Sequence, residues 1–187
     1  MSYREFYKQL FKPIRETVGE IDADTLVAII GFDAGGPLNF CTVHHGGDSC
    51  VTYVSCELAV RDAQPHKELA GYELMITSDD ETWVRSLLTD IGWMTLDATL
   101  DHGHTLDIGP WVGEGDAIQG VVFERFATVT IDRQSYGLLY CHGVTRPELA
   151  WAMRNGVDAL LAELKKAGVY PTTPRNRERI AACALPA

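Results

Sequence analysis

The sequence predicts an α+β fold: a mostly antiparallel or mixed sheet flanked by three main helices. Three observations carry this. Helical periodicity appears near the start, the middle and the end of the chain, and strand-like runs fill both intervals. The strict alternation of strand and helix that a doubly wound parallel sheet needs is missing. With 187 residues, 46% of them hydrophobic, the chain buries roughly 70% of its extended surface without disulfide or metal staples, so one domain over residues 1–187 is expected.

Ser2 stands three residues before Glu5, the spacing of a capping box. Tyr3, Phe6, Tyr7, Leu10, Phe11, Ile14 and Val18 then recur at three- and four-residue steps, which makes an amphipathic helix. Pro13 falls inside it and predicts a kink or a break near Lys12. Four strand candidates follow at Thr25–Phe32, Asn39–His45, Val51–Val60 and Gly71–Thr77, a meander with turns at Gly35-Gly36-Pro37 and Gly46-Gly47-Asp48. In the third and fourth, apolar side chains alternate with others (Val54, Cys56, Leu58; Tyr72, Leu74, Ile76), so each is expected to have one apolar face.

Ser78 and Glu81 repeat the capping spacing ahead of a Val84, Leu87, Leu88, Ile91 stripe. Further strands are expected at Thr105–Ile108, Ile118–Glu124, Phe126–Ile131 and Tyr136–Cys141, with Gly109–Gly115 as a loop. A third box, Thr145 to Glu148 with Pro147 in the first turn, opens a helix whose Met153, Val157, Leu160, Leu161 and Leu164 share a face, and Gly168 closes it.

Charge and composition exclude several classes. A formal charge of −10 removes the attraction that non-specific nucleic-acid binding or an anionic membrane requires. The longest apolar run, Leu26–Ile30, is far shorter than the roughly 20 residues of a spanning helix. No signal-like apolar region precedes the first helix, and five cysteines without a CxxC pair suit reduced, buried thiols, so a cytoplasmic location is expected. Residues 71–117 hold ten acids against the single base Arg85, while residues 146–179 hold seven bases against four acids, which predicts a polarised surface.

No strong catalytic motif is present: GxSxG, HExxH, a Walker loop and a dinucleotide fingerprint are all absent. The densest cluster of ionisable groups is Asp101-His102-Gly103-His104-Thr105-Leu106-Asp107. Its residue types suit a divalent metal, and a metal-dependent hydrolase would use His102, His104 and Asp107 with a distant His44 or His142. A turn in which the side chains bond nearby backbone and Gly103 takes a positive φ is the competing expectation. Cys141-His142 are neighbours on a strand and face apart, so they form no nucleophile–base pair and Cys141 reads as a buried thiol. Trp111, in the Gly/Pro loop, is an interface anchor or folds back onto the domain.

From Cys56 to Arg179 the chain resembles the suppressor of fused domain family, and its bacterial members in particular. The matching stretches are Gly71-Tyr72-Glu73-Leu74-Met75-Ile76-Thr77, the helix with Trp83, Leu87 and Leu88, and the Asp101–Leu106 turn running into Gly109-Pro110. Tyr136–Cys141, the Thr145–Leu164 helix, Tyr170-Pro171 and the Arg175–Arg179 segment complete the series. The resemblance implies a mixed α/β domain that binds proteins and brings no catalytic residue or cofactor with it. It implies sequestration of a protein partner, as with Gli transcription factors in animals, or neutralisation of a toxin by an immunity-type protein in bacteria.

The physical form of such binding is a peptide added to a free sheet edge. The acidic stretch is the expected docking face for a basic protein or toxin, with Asp101, His102, His104, Asp107, Trp111, Glu114 and Asp116 as its contact residues. A small-ligand binder remains the third class, favoured by a deep and largely apolar pocket.

Overall fold

Six strands form one sheet because their alternating side chains find helices to bury against. The computed structural model describes residues 1–22, 27–45, 49–61, 64, 66–113 and 115–183. The strands are β1 (Phe40–His44), β2 (Val51–Ser55), β3 (Gly71–Ser78), β4 (Thr105–Asp107), β5 (Ile118–Ile131) and β6 (Gln134–Thr145), in the order β1-β2-β3-β6-β5-β4. The first three make the expected meander, β3 and β6 run parallel, and all other pairs are antiparallel. The fold is therefore α+β with a mixed sheet.

On one face Phe40, Tyr53, Leu74, Ile76, Leu139 and Phe123 pack against α3 (Glu81–Met94) through Val84, Leu88 and Ile91. The opposite face is covered in two parts. Val43, Val54, Met75 and Leu138 meet α1 (Tyr3–Leu10) and α2 (Lys12–Thr17), whereas Val122 and Val144 meet α4 (Arg146–Asn155) and α5 (Val157–Lys166). Every residue of β3 is buried, as a central strand covered on both faces must be.

The first helix starts where expected, with Ser2 Oγ accepting from Glu5 N–H, and it breaks at Phe11 ahead of Pro13. Other expectations are corrected. The apolar run 27–31 is not a strand: Val27, Ile29 and Ile30 are exposed and Phe32–Ala34 forms one 3-10 turn. The chain reverses too sharply there for pairing, because Gly36 N–H returns to the Gly31 carbonyl and Gly36 lies against the Ile30 carbonyl, where a Cβ would sit 1.8 Å away. Thr25 and Leu26, and the turn at Gly46-Gly47-Asp48, lie outside the described residues.

β2 ends at Ser55 rather than Val60, because the chain turns so that Ala59 N–H reaches the Glu73 carboxylate. β3 and α3 are capped differently from expectation: Ser78 completes the strand, and Asp80 caps the helix by accepting from Trp83 N–H. The strands expected at 118–124 and 126–131 are one 14-residue strand, continuous through a bulge between Arg125 and Ala127. The last helix is two helices, because Gly156 at φ 92 resets the helical phase and leaves Met153 exposed while Val157, Leu160 and Leu164 are buried.

A C-terminal segment then crosses the end of the sheet. Thr173 N–H donates to the Thr77 carbonyl and Ser78 Oγ–H to the Thr173 carbonyl, both at 2.7 Å, and Arg177 reaches Glu148 at the start of α4. Among the described residues no helix is long and apolar enough to cross a membrane.

Candidate functional site

The residues singled out in the sequence are dispersed by the fold. His102 Nε2 lies 2.9 Å from Asp158, His104 Nδ1 accepts from Asp101 N–H, and Asp107 meets Arg146 at 2.6 Å. These three do not converge, His44 pairs with Asp22 at 3.3 Å, and His142 is buried in the sheet. Among the described residues no group of three His, Cys, Asp or Glu side chains is placed to hold a metal ion. Gly103 has φ 82, so the cluster is the expected turn. Cys141 is fully buried, and burial pushes its thiol well up from the ordinary value.

Several carboxylates of the acidic stretch are answered by arginines from later in the chain. Arg125 forks onto Asp101, Arg146 bonds Asp107, and Arg175 lies 3.0 Å from both Asp80 and Asp116. Burial raises the Asp101 carboxyl, but the Arg125 guanidinium and the His102 N–H outweigh it and hold the group below its usual range. Trp111 is 45% exposed and lines a shallow recess with Trp83, Asp116 and Arg175, while Glu114 lies outside the described residues. The local charge imbalance is thus reduced by tertiary ion pairs, and Trp111 is the large apolar group left open beside them.

The two outer strands differ. β4 pairs with β5 only from Gly120 to Val122, and the chain ahead of β4 adds mutual backbone bonds at Phe123 from Gly103 and His104. Among the described residues no strand pairs with β5 beyond that point. From Ala127 to Ile131 the inner edge of β5 is fully paired with β6, through a two-residue turn at Asp132 and Arg133, both at positive φ as a type I′ hairpin requires. Ile131 and Gln134 exchange both bonds, as do the pairs two and four residues away, so the N–H and C=O groups of Thr128 and Thr130 point away from β6. Both residues are exposed. Phe126-Ala127-Thr128-Val129-Thr130-Ile131 carries no charge, Pro or Gly, which makes it an unguarded edge.

Two polar groupings on the α1-facing side of the sheet were not legible as sites. Glu73, read in the sequence as lying on the non-apolar face of its strand, is fully buried beneath α1. Its carboxylate accepts from Tyr7 O–H at 2.6 Å, from Ala59 N–H at 2.8 Å and from Ser55 O–H. Burial raises its pKa despite those donors. Beside it, Glu124 accepts from His142 Nε2–H at 2.8 Å and Tyr170 O–H at 3.1 Å. His142 is sandwiched between the rings of Tyr140 and Tyr170, at 4.5 and 5.1 Å. Burial holds His142 below its ordinary value against the pull of Glu124, so the ring is a neutral donor. The signal in the sequence was Glu73 and Thr77 on the second face of β3 and Tyr140 and His142 on the matching face of β6, interleaved with the apolar Met75 and Leu138 that show this face to be buried as well.

Comparison with known proteins decides the family. The model of the suppressor of fused protein (SUFU) family matches residues 36–178, most of the chain. The chain belongs to this family. Two solved structures share the fold. One is described as the Sufu-Fu complex, with a TM-score of 0.71, 15% identity, and coverage of 94% of this chain and 90% of that one. The other is Drosophila Suppressor of Fused, with a TM-score of 0.71 and 15% identity. The match covers 92% of this suppressor of fused chain and 49% of the Drosophila one, so this chain spans about half the length of that protein. No curated protein matches by sequence.

Proposed function

We propose that this suppressor of fused family member is a non-catalytic, protein-binding domain acting in the cytoplasm by stoichiometric occlusion of a protein partner. An extended segment of that partner adds as a strand to the free edge of β5. The observation that carries this is the uncharged run Phe126–Ile131, whose outer edge no described residue pairs with and whose inner edge is held by β6. Family membership and the relative solved as a Sufu-Fu complex support a protein as the ligand. Backbone bonds at Thr128 and Thr130 supply affinity, and the net charge of −10 favours a basic partner although Asp101, Asp107 and Asp116 are each paired with an arginine, with Trp111 as the exposed apolar contact of that acidic region. Neutralisation of a toxin is the instance of this mechanism that the resemblance to bacterial members implies.

Thr128→Pro tests the reading, because proline removes an outward N–H at a position where an edge strand tolerates it. A partner captured from the cells that make the protein is expected to be lost with the variant, at a Tm within about 2 °C of the parent. Undiminished capture by Thr128→Pro removes strand addition at this edge from the account.

A further inference from the structure

Between α2 and the Tyr170–Thr172 segment the sheet face is left uncovered, and the opening is a cleft of about 370 Å³ over β3 and β6. Val18, Phe126 and Pro171 form apolar walls, and Thr77 and Tyr140 lie at the floor. Among the described residues no Asp, Glu, Lys or Arg lines it, whereas four other recesses of this surface are each lined by several charged groups. The size falls at the lower end of small-molecule sites, and the lack of charge selects a neutral occupant.

The floor has one hydrogen-bonding position that none of the described residues fills. His45 Nε2 lies 2.8 Å from Thr52 Oγ1, which lies 2.5 Å from Thr77 Oγ1, which in turn contacts the Tyr140 hydroxyl. Three hydroxyls carry one proton each and make three links. If the His45 nitrogen donates, the Tyr140 proton is left over; if it accepts, a Tyr140 lone pair is left over. A ligand hydroxyl satisfies either direction, whereas a carbonyl or an ammonium group satisfies one. Phe126, Tyr140 and Tyr170 bring three aromatic rings to the cleft lining, which suits a planar body.

We propose that this cleft binds a small, uncharged, phenol-like molecule whose ring lies between Phe126 and Pro171 and whose hydroxyl completes the hydrogen-bond chain at Tyr140. Phe126 is shared with the end of the proposed β5 docking run, so binding is measured on the chain without a protein partner. Titration of the whole chain with p-cresol, followed by amide NMR, is expected to give saturable shifts at Thr77 and Phe126, with toluene binding at least about fivefold more weakly. Tyr140→Phe is expected to reduce p-cresol to the affinity of toluene. Thr17→Trp, at an exposed rim position where refolding of the core is not required, is expected to abolish binding by filling the cleft. No saturable shift up to the solubility of p-cresol overturns the proposal, as does wild-type affinity in Thr17→Trp. Equal affinity for toluene and p-cresol overturns the role of the hydroxyl chain.

Discussion

Along β1 the outer edge of the sheet is occupied: Asp22 N–H donates to the Thr42 carbonyl at 2.9 Å, and the Asp22 carboxylate accepts from the Thr42 hydroxyl at 2.5 Å. Ala28 N–H, from the same arm, bonds the Asn39 side chain just before the strand begins. Along β5 the His102 ring still accepts from Arg125 N–H, but from Phe126 to Ile131 no comparable arm pairs with the backbone among the described residues, although that run is free of charge. A bare edge invites association, so proteins cover or charge their edges unless the edge is used. The contrast teaches that one sheet can close one edge with its own chain and leave the other open, and the proposed partner is assigned to the β5 side for that reason.

The largest expected effect comes from loosening the clamp at the base of the β5–β6 hairpin. Arg177 makes two bonds to Glu148, 2.8 and 2.6 Å, and one to the Gly143 carbonyl at 3.0 Å, all buried. Arg177→Met leaves Glu148 buried and unpaired and is expected to cost about 3–5 kcal/mol. Thermal unfolding then shows a Tm roughly 10 °C lower, and an unchanged Tm excludes the clamp. Next in size is the difference between the edges themselves. Hydrogen exchange with a bound partner is expected to slow the Thr128 and Thr130 amides more than tenfold and to leave β1 unaltered; protection along β1 instead would invert the assignment.

Two carboxyls of opposite behaviour give a third test. Burial raises Glu148, but Arg177 and the Thr145 and Ile180 N–H groups outweigh it, so its folded pKa is depressed and its contribution is lost as pH falls through that value. For Glu73 burial wins and the folded pKa is raised above 4.5, so its contribution is complete below 4.5 and is lost as pH rises through the folded value. Glu73→Gln, which carries no charge to bury, is therefore expected to exceed the parent in stability at pH 8 and not at pH 4. Urea unfolding at the two pH values checks this, and a parallel shift at both would show that Glu73 does not titrate across the range. The smallest effect is at the covered edge. Asp22→Ala removes the Thr42 hydroxyl's acceptor but keeps the backbone bond, for an expected loss of about 1 kcal/mol by urea unfolding; a loss several times larger would mean that the arm holds more than the edge.

Much of the fold was legible because local patterns and tertiary packing agree. The Ser2 cap, the break at Pro13, the α3 stripe Val84, Leu88, Ile91, and the meander through β3 all follow from spacing that one packed face enforces. The run 27–31 was misread because an apolar string states a wish for burial but not whether a partner strand is there to pair with it. The Asp101–Asp107 cluster was misleading for a related reason: adjacency in sequence placed His102, His104 and Asp107 together, while Asp158, Asp101 and Arg146 drew them apart in space.

By itself the sequence determined the α+β class, the places of most helices and strands, and the family to which their order belongs. Only the tertiary structure decided which sheet edge the described residues leave open, which acids are answered by Arg125, Arg146 and Arg175, and which polar side chains of β3 and β6 are buried together. The reason is one of range. Periodicity and capping act over three or four residues, whereas edge pairing, charge compensation and buried hydrogen-bond networks join residues that are tens of positions apart, and no local pattern records them.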